Sequence, residues 1–221
     1  MLATVCGRPF LTHLLDQLVV AGVERVVIST GYMADAVAAA IGTSYRGMDI
    51  VYSREDEPLG TGGGIRLGVD KLQSNRFLAL NGDSFCALNF GEFISFHESK
   101  GATVSLALTR VDDCSRFGEV ITSEDGTVEQ FIEKGASSRP GWINAGIYLL
   151  SREFIQGLPA NQPISLERDV FPMMVKTGLY GFKGGGKFID IGTPESYQIA
   201  EAFLGISGIA PNTHAERITS T

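Results

Sequence analysis

An α/β domain with a mostly parallel open sheet and helices on both faces is the fold class this sequence predicts. Between Phe10 and Asn81, strand-like apolar runs alternate with helix-period segments three times, the pattern of right-handed crossovers in a parallel sheet. Two apolar runs end on a carboxylate, Phe77-Leu-Ala-Leu-Asn81-Gly82-Asp83 and Phe188-Ile-Asp190-Ile191-Gly192-Thr193-Pro194. In open α/β sheets that is where ligands bind. The length, 221 residues with no linker or repeat, suits a single core.

Pro9 stands where a helix can start, and Phe10, Leu11, Leu14, Leu15, Leu18 and Val19 mark one apolar face up to Gly22. A strand at Val26–Ile28, an Ala-rich helix from Met33 to Ile41 and a strand at Asp49–Tyr52 follow. A glycine-rich loop then leads into a helix over Ile65–Leu72 and a strand ending at Asn81. The second half is more irregular. Thr103–Thr109 and Phe117–Thr122 read as strands, and Asp125-Gly126 turns the chain into Val128–Ile132. Trp142–Leu150 is a further strand, Leu166–Val175 a helix and Tyr197–Leu204 a closing helix. Residues 205–221, rich in Gly, Ser, Thr and Pro, read as a loose tail after one domain over 1–204.

The charge balance, 18 basic against 25 acidic side chains, gives −7 and argues against a nucleic-acid partner. No apolar run approaches membrane-spanning length, and Met1–Cys6 lacks the basic start of a signal peptide. Cys6, Cys86 and Cys114 are odd in number and show no metal-type spacing, so a reducing cytoplasm is expected.

Asp83 and Asp190, each at a strand exit, are candidate ligands for one Mg²⁺, which takes hard oxygen donors and is commonly shared between carboxylates and phosphates. Taken singly, Asp83 also suits a turn and Asp190 a helix N-cap. Pro58-Leu-Gly60-Thr61-Gly62-Gly63-Gly64-Ile65 is a candidate phosphate or nucleotide loop, because glycine lets the backbone approach a ligand and a helix N-terminus favours negative charge. It is not a dinucleotide fingerprint, since Ile65 and Leu67 stand where either register needs glycine. Gly181-Phe-Lys-Gly-Gly-Gly186-Lys187-Phe188 imitates a P-loop but has Phe188 in place of the hydroxyl residue and runs into a strand. No nucleophile elbow or zinc-protease motif is present, and His13, His97 and His214 are isolated and read as structural or solvent-facing. Direct transfer between two bound substrates is favoured.

Six segments, in this order, resemble the sugar-phosphate nucleotidylyltransferase family, and within it most resemble the D-glycero-α-D-manno-heptose 1-phosphate guanylyltransferases. They are Glu57-Pro-Leu-Gly-Thr-Gly-Gly-Gly-Ile65, Leu80-Asn-Gly-Asp-Ser84, Phe131-Ile-Glu-Lys134, Ile143-Asn-Ala-Gly-Ile-Tyr148, Ser165-Leu-Glu167 and Phe188-Ile-Asp-Ile-Gly-Thr-Pro-Glu195. The resemblance runs from about Gly7 to Leu204 and implies a Rossmann-like, nucleotide-diphospho-sugar transferase-like fold. It further implies Mg²⁺ as cofactor on Asp83 and Asp190, with a nucleoside triphosphate and a sugar 1-phosphate as partners. Pro58 and Gly60 would line the nucleobase pocket with Thr61 and Gly62 beside them, and Lys134 would join the two aspartates in catalysis. Gly82, Gly118, Glu133, Lys134, Asn144, Gly146 and Glu167 would take the sugar phosphate. Glu55 could accept from the two donors on guanine's Watson–Crick edge or be a solvated carboxylate.

The expected reaction joins GMP from GTP to a heptose or mannose 1-phosphate, releases pyrophosphate and supplies activated sugars for surface polysaccharide. A non-catalytic nucleotide-sugar-binding or regulatory module, or a metal-dependent glycosyltransferase of the same fold, are the alternatives. The family normally opens with a strand, a G-G-x-G-T-R-L loop and a Lys-Pro pair. Met1-Leu-Ala-Thr-Val-Cys-Gly-Arg-Pro-Phe10 matches the segment after that pair, so the expectation is either a start placed downstream of the true one or a shortened domain with a weakened triphosphate grip.

Overall fold

The computed structural model describes residues 1–132 and 138–206. A short hairpin, β1 (Thr4–Val5) and β2 (Arg8–Pro9), precedes α1 (Phe10–Val20), which begins directly after Pro9. The apolar face of α1 is buried through Phe10, Leu11, Leu14, Leu15 and Leu18. β3 (Arg25–Thr30), α2 (Ala34–Ile41), β4 (Ser44–Tyr45) and β5 (Met48–Arg54) follow. β3 lies parallel to β5, as a strand–helix–strand crossover requires, and β4 adds antiparallel to β5. α3 (Gly60–Gly68) and a 3-10 turn over Val69–Lys71 lead to β6 (Arg76–Leu80), β7 (Ser84–Cys86) and α4 (Phe90–Ser99). α4 is capped by the Asn89 side chain, which accepts from the Glu92 N–H.

The second half supplies β8 (Val104–Val111), β9 (Glu119–Thr122), β10 (Val128–Ile132), β11 (Gly141–Ser151) and α5 (Arg152–Gln156). The Asp125-Gly126 turn forms the β9–β10 hairpin as expected: Asp125 accepts from Ser123 and Thr127, and Gly126 takes a φ of 91°. The segment read as a helix over Leu166–Val175 is a π turn (Leu166–Val170) followed by a 3-10 turn (Phe171–Met174). Pro172 withholds the N–H that a continuing α-helix would use. β12 (Leu179–Gly185), β13 (Phe188–Asp190) and α6 (Pro194–Ile206) complete the described chain. The P-loop mimic opens no helix and runs into β13, as its sequence indicated, and its first residues are themselves the end of β12.

The α/β class holds, and the sheets are mixed. A four-stranded sheet runs β12–β8–β11–β6; β12 is parallel to β8, while β11 is antiparallel to both β8 and β6. In this sheet the antiparallel pairs are the two that β11 makes, with β8 and with β6. Two cores result. One packs α1, β3, β5, β7 and α4, and the other packs β8, β11, α5 and the π and 3-10 turns around Tyr148 and Phe171. Each fully buried large apolar side chain contributes roughly 1.5–3 kcal/mol. No helix among the described residues is long and apolar enough to cross a membrane.

His13 and His97 are structural. His97 is buried on α4 with Nδ1 2.9 Å from Ser105 Oγ; burial, reinforced by Arg76, pushes its pKa from 6.5 down to about 4. The fold therefore holds a neutral ring, whereas the unfolded chain takes up a proton near pH 6.5. Stability from this residue is complete above that pH and is lost as pH falls towards 4. Urea melts across this window should show a falling midpoint, and His97→Gln should flatten the slope. An unchanged slope in the variant would assign the pH dependence elsewhere. His214 lies outside the described residues. Cys86 is buried, which pushes its thiol up to about 12 and keeps it protonated and inert.

Candidate active site

β6 ends at Leu80, and the chain turns over Asn81–Gly82–Asp83 before re-entering as β7. β13 pairs antiparallel with β7 and sets Asp190 opposite Ser84. The Ser84 hydroxyl is 3.2 Å from Asp83 Oδ1 and 3.1 Å from Asp190 Oδ2, so the two carboxylates meet at one oxygen. A hydroxyl has one proton and donates to one carboxylate at a time. Both aspartates do stand at strand exits, but their meeting is made by direct pairing of β7 with β13 rather than by neighbouring parallel strands. Asp83 is exposed at its turn, with its carbonyl accepting from the Ile191 N–H at 2.8 Å. Asp190 is not the cap of α6. Its Oδ1 accepts from the Gly192 N–H, and Thr193 does the capping, accepting from Ser196 N. The second oxygen of Asp190 is thereby left on the Asp83 side.

The glycine segment departs from expectation. Gly60–Gly64 are not a loop before the helix but its first turns. The Gly62 and Gly63 N–H groups donate to the Ile164 carbonyl at 2.8 and 3.2 Å. A Cβ at Gly60 would sit 2.6 Å from that oxygen, and one at Gly63 would sit 2.5 Å from the Gln162 carbonyl. The closest backbone approach these glycines permit is thus to the chain's own 162–164 segment. Pro58 and Gly60 remain exposed at the start of α3, while Gly62 is buried. Glu55 folds back on the same turn, its Oε2 accepting from the Leu59 N–H at 2.9 Å. Thr61 donates to Glu167 Oε2 at 2.6 Å.

Opposite this turn, β11 carries a bulge. Its register against β8 slips between Asn144 and Tyr148, where Gly146 takes a φ of 73°. Asn81 explains the glycine, since a Cβ at Gly146 would lie 2.8 Å from its amide nitrogen, and the Asn81 N–H donates to the Gly146 carbonyl. Asn144 and Glu167 meet through Tyr148: Asn144 Nδ2 donates to the Tyr148 hydroxyl at 2.9 Å, and Tyr148 donates to Glu167 Oε1 at 2.8 Å. Asn81 lies two residues before Asp83 and touches Gly146, so the paired carboxylates and the Asn144–Glu167 cluster share one neighbourhood.

Gly82 lies under the Met1 side chain, and Gly118 takes a φ of 77° in the turn before β9. Glu133 and Lys134 lie outside the described residues, immediately after the end of β10 at Ile132. A cavity of about 330 Å³ beside Asp190 is lined by Arg116, Phe117, Gly192 and Thr193. A larger one of about 420 Å³, around Asn75, Arg152 and Gln156, sits at the far ends of β6 and β11. Of the two, the first is the one that borders the carboxylate pair, through Asp190.

The sequence reading missed Ser84, Tyr148 and Arg116. Arg116 holds its guanidinium carbon 5.1 Å from the centre of the Phe117 ring, whose edge packs on Phe188. Tyr148 carried a usable signal, because a tyrosine in a continuous apolar strand buries a hydroxyl that must find partners. Ser84 and Arg116 carried none, since their importance arises only from what distant strands bring beside them.

A family model described as Nucleotidyl transferase matches residues 1–205. The chain is 39% identical over 210 residues to a mannose-1-phosphate guanylyltransferase from Mycobacterium tuberculosis (strain ATCC 25618 / H37Rv), covering 93% of this chain and 58% of the relative. It is 33% identical over 204 residues to a D-glycero-alpha-D-manno-heptose 1-phosphate guanylyltransferase from Aneurinibacillus thermoaerophilus, covering 92% and 88%. The crystal structure of HddC from Yersinia pseudotuberculosis complexed with GMP-PN superposes with a TM-score of 0.82 at 32% identity, covering 92% of this chain and 88% of that one. The chain spans a little over half the length of the mannose-1-phosphate guanylyltransferases it matches, 58% and 56% for two of them.

Proposed function

The chain belongs to the nucleotidyl transferase family, and on that premise we propose that it joins GMP from GTP to a mannose-type or heptose-type sugar 1-phosphate and releases pyrophosphate. The observation that carries this reading is the meeting of Asp83 and Asp190 at the Ser84 hydroxyl, beside the polar cluster of Asn144 and Glu167. The choice of base and sugar rests on the names of the relatives, which are mannose and manno-heptose 1-phosphate guanylyltransferases, and on a neighbour solved with GMP-PN.

In this reaction an oxygen of the sugar 1-phosphate attacks the α-phosphorus of GTP as the bond to pyrophosphate breaks. The protein makes no covalent bond; it positions the phosphates and offsets their charge. Asp83 and Asp190 fit a Mg²⁺ ion, since both offer hard carboxylate oxygens that converge on one point. Such an ion would supply positive charge opposite the phosphate oxygens, which this acidic chain otherwise has few cations to provide. Asn144 and Glu167 would hold sugar hydroxyls, Glu133 would join them and Lys134 would hold the sugar phosphate. Pro58 and Gly60 would form the exposed lip of the base pocket, and Arg116 stands ready for an anionic group beside Asp190.

The direct test is pyrophosphate release from GTP with mannose 1-phosphate or a manno-heptose 1-phosphate in the presence of Mg²⁺. Release that requires both substrates is expected. Retained binding of GDP-mannose without release from any triphosphate and sugar 1-phosphate pair would favour a non-catalytic binding module instead.

A further inference from the structure

We infer that Tyr148 is a positioning residue for the acceptor: its buried hydroxyl aims one acceptor lone pair of Glu167 and one N–H of Asn144 at neighbouring hydroxyls of the sugar. This rests on the sugar 1-phosphate reading above and adds to it a residue and a pattern of recognition.

The direction of the hydrogen-bond chain follows from its start. The Gly146 N–H donates to Asn144 Oδ1 at 3.0 Å, so the other end of that amide, Nδ2, must face Tyr148 as a donor. With its oxygen already receiving from Asn144, the Tyr148 hydroxyl gives its proton to Glu167 Oε1 at 2.8 Å. Burial, with the Glu167 charge adding to it, raises the Tyr148 pKa well above 10, so this proton stays in place at any working pH. The ring is 1% exposed and packs edge-on against Phe171 at 5.2 Å, which leaves it little freedom to turn.

What remains unused defines the ligand. A carboxylate has about four lone-pair sites. On Glu167, Oε2 accepts from Thr61 at 2.6 Å and from Ser165 at 2.9 Å, and Oε1 accepts from Tyr148 at 2.8 Å. One acceptor site is left, on the oxygen that Tyr148 holds. Asn144 Nδ2 has two N–H groups and spends one on Tyr148. The half-buried pair therefore offers one donor and one acceptor on either side of the same tyrosine oxygen. Neighbouring sugar hydroxyls, one accepting and one donating, satisfy both. Thr61 ties the same carboxylate to α3, so this geometry is braced from the glycine turn as well.

The test compares wild type with Tyr148→Phe, which keeps the ring and removes only the hydroxyl. Calorimetric titration with mannose 1-phosphate should show Kd raised roughly tenfold, as expected for losing a hydrogen bond to a charged group, with GTP affinity within about twofold of wild type. Monodeoxy sugar 1-phosphates sharpen it. Wild type should lose affinity for the analogue lacking the hydroxyl that Glu167 accepts from, and the variant should lose nothing more on that analogue. Equal sugar affinity in variant and wild type, or the same penalty on GTP and on every analogue, would overturn the inference. If wild type itself binds no sugar 1-phosphate, the functional reading falls with it, and that outcome is visible before any variant is made. Should Tyr148→Phe fail to fold, Thr61→Val removes one of the two donors on the other oxygen of Glu167, leaving Ser165. A loss confined to the sugar is then expected, and one confined to GTP would overturn the role.

Discussion

Asp83→Asn or Asp190→Asn is expected to abolish pyrophosphate release while leaving the protein folded. The reason lies in what each change removes. Asp83 is exposed at the turn between β6 and β7, so its amide leaves no buried group unpaired. Asn at 190 can still accept from the Gly192 N–H through its carbonyl oxygen, which preserves the turn into α6. Each change removes a negative charge from the carboxylate pair that would hold the proposed Mg²⁺. Loss of transition-state charge stabilisation of this kind lowers the rate by about 10²–10³ or more. Thermal melts of both variants should superpose on wild type within a few degrees while turnover vanishes. Near-normal turnover in either variant, or full activity of wild type in excess chelator, would reject the metal assignment.

Gly60→Ala should instead strike the fold, and activity through it. The residue holds a φ of 70°, where an L side chain is strained, and the new Cβ would lie 2.6 Å from the Ile164 carbonyl oxygen. That oxygen already accepts from Gly62 and Gly63, so the collision cannot be relieved without parting α3 from the 162–164 segment. Combining left-handed strain with overpacking gives a loss of roughly 3 kcal/mol. For a chain of this size that is on the order of 10 °C in Tm. Parting those segments would also draw Thr61 from Glu167, so sugar affinity should weaken in the same variant. Gly91→Ala is the matching control. Gly91 is exposed in α4 and its Cβ would meet nothing nearer than 3.4 Å, so stability should hold or rise by up to about 1 kcal/mol. Equal melting temperatures for the two variants would refute the account of the glycine turn.

The amino-acid pattern alone determined most of the elements and their order, but not α4 or α5, and it made one α-helix of the π and 3-10 turns. The start of α1 after Pro9, the parallel β3–β5 crossover and the Asp125-Gly126 hairpin were all legible, because each depends on local periodicity or on a turn residue. So were the two carboxylates at strand exits. What the tertiary structure decided is which of these meet. Ser84 and Asp190, 106 residues apart in sequence, share a hydrogen bond only because β13 pairs with β7, and no local propensity encodes that choice of partner. The glycines of α3 were legible as places needing close approach, yet only the fold reveals the Ile164 and Gln162 carbonyls as their neighbours. Tyr148 reads as one more core aromatic until the β11 bulge and the π turn bring Asn144 and Glu167 to its hydroxyl. Local chemistry sets what each segment can become, whereas burial shared between distant segments sets what it touches.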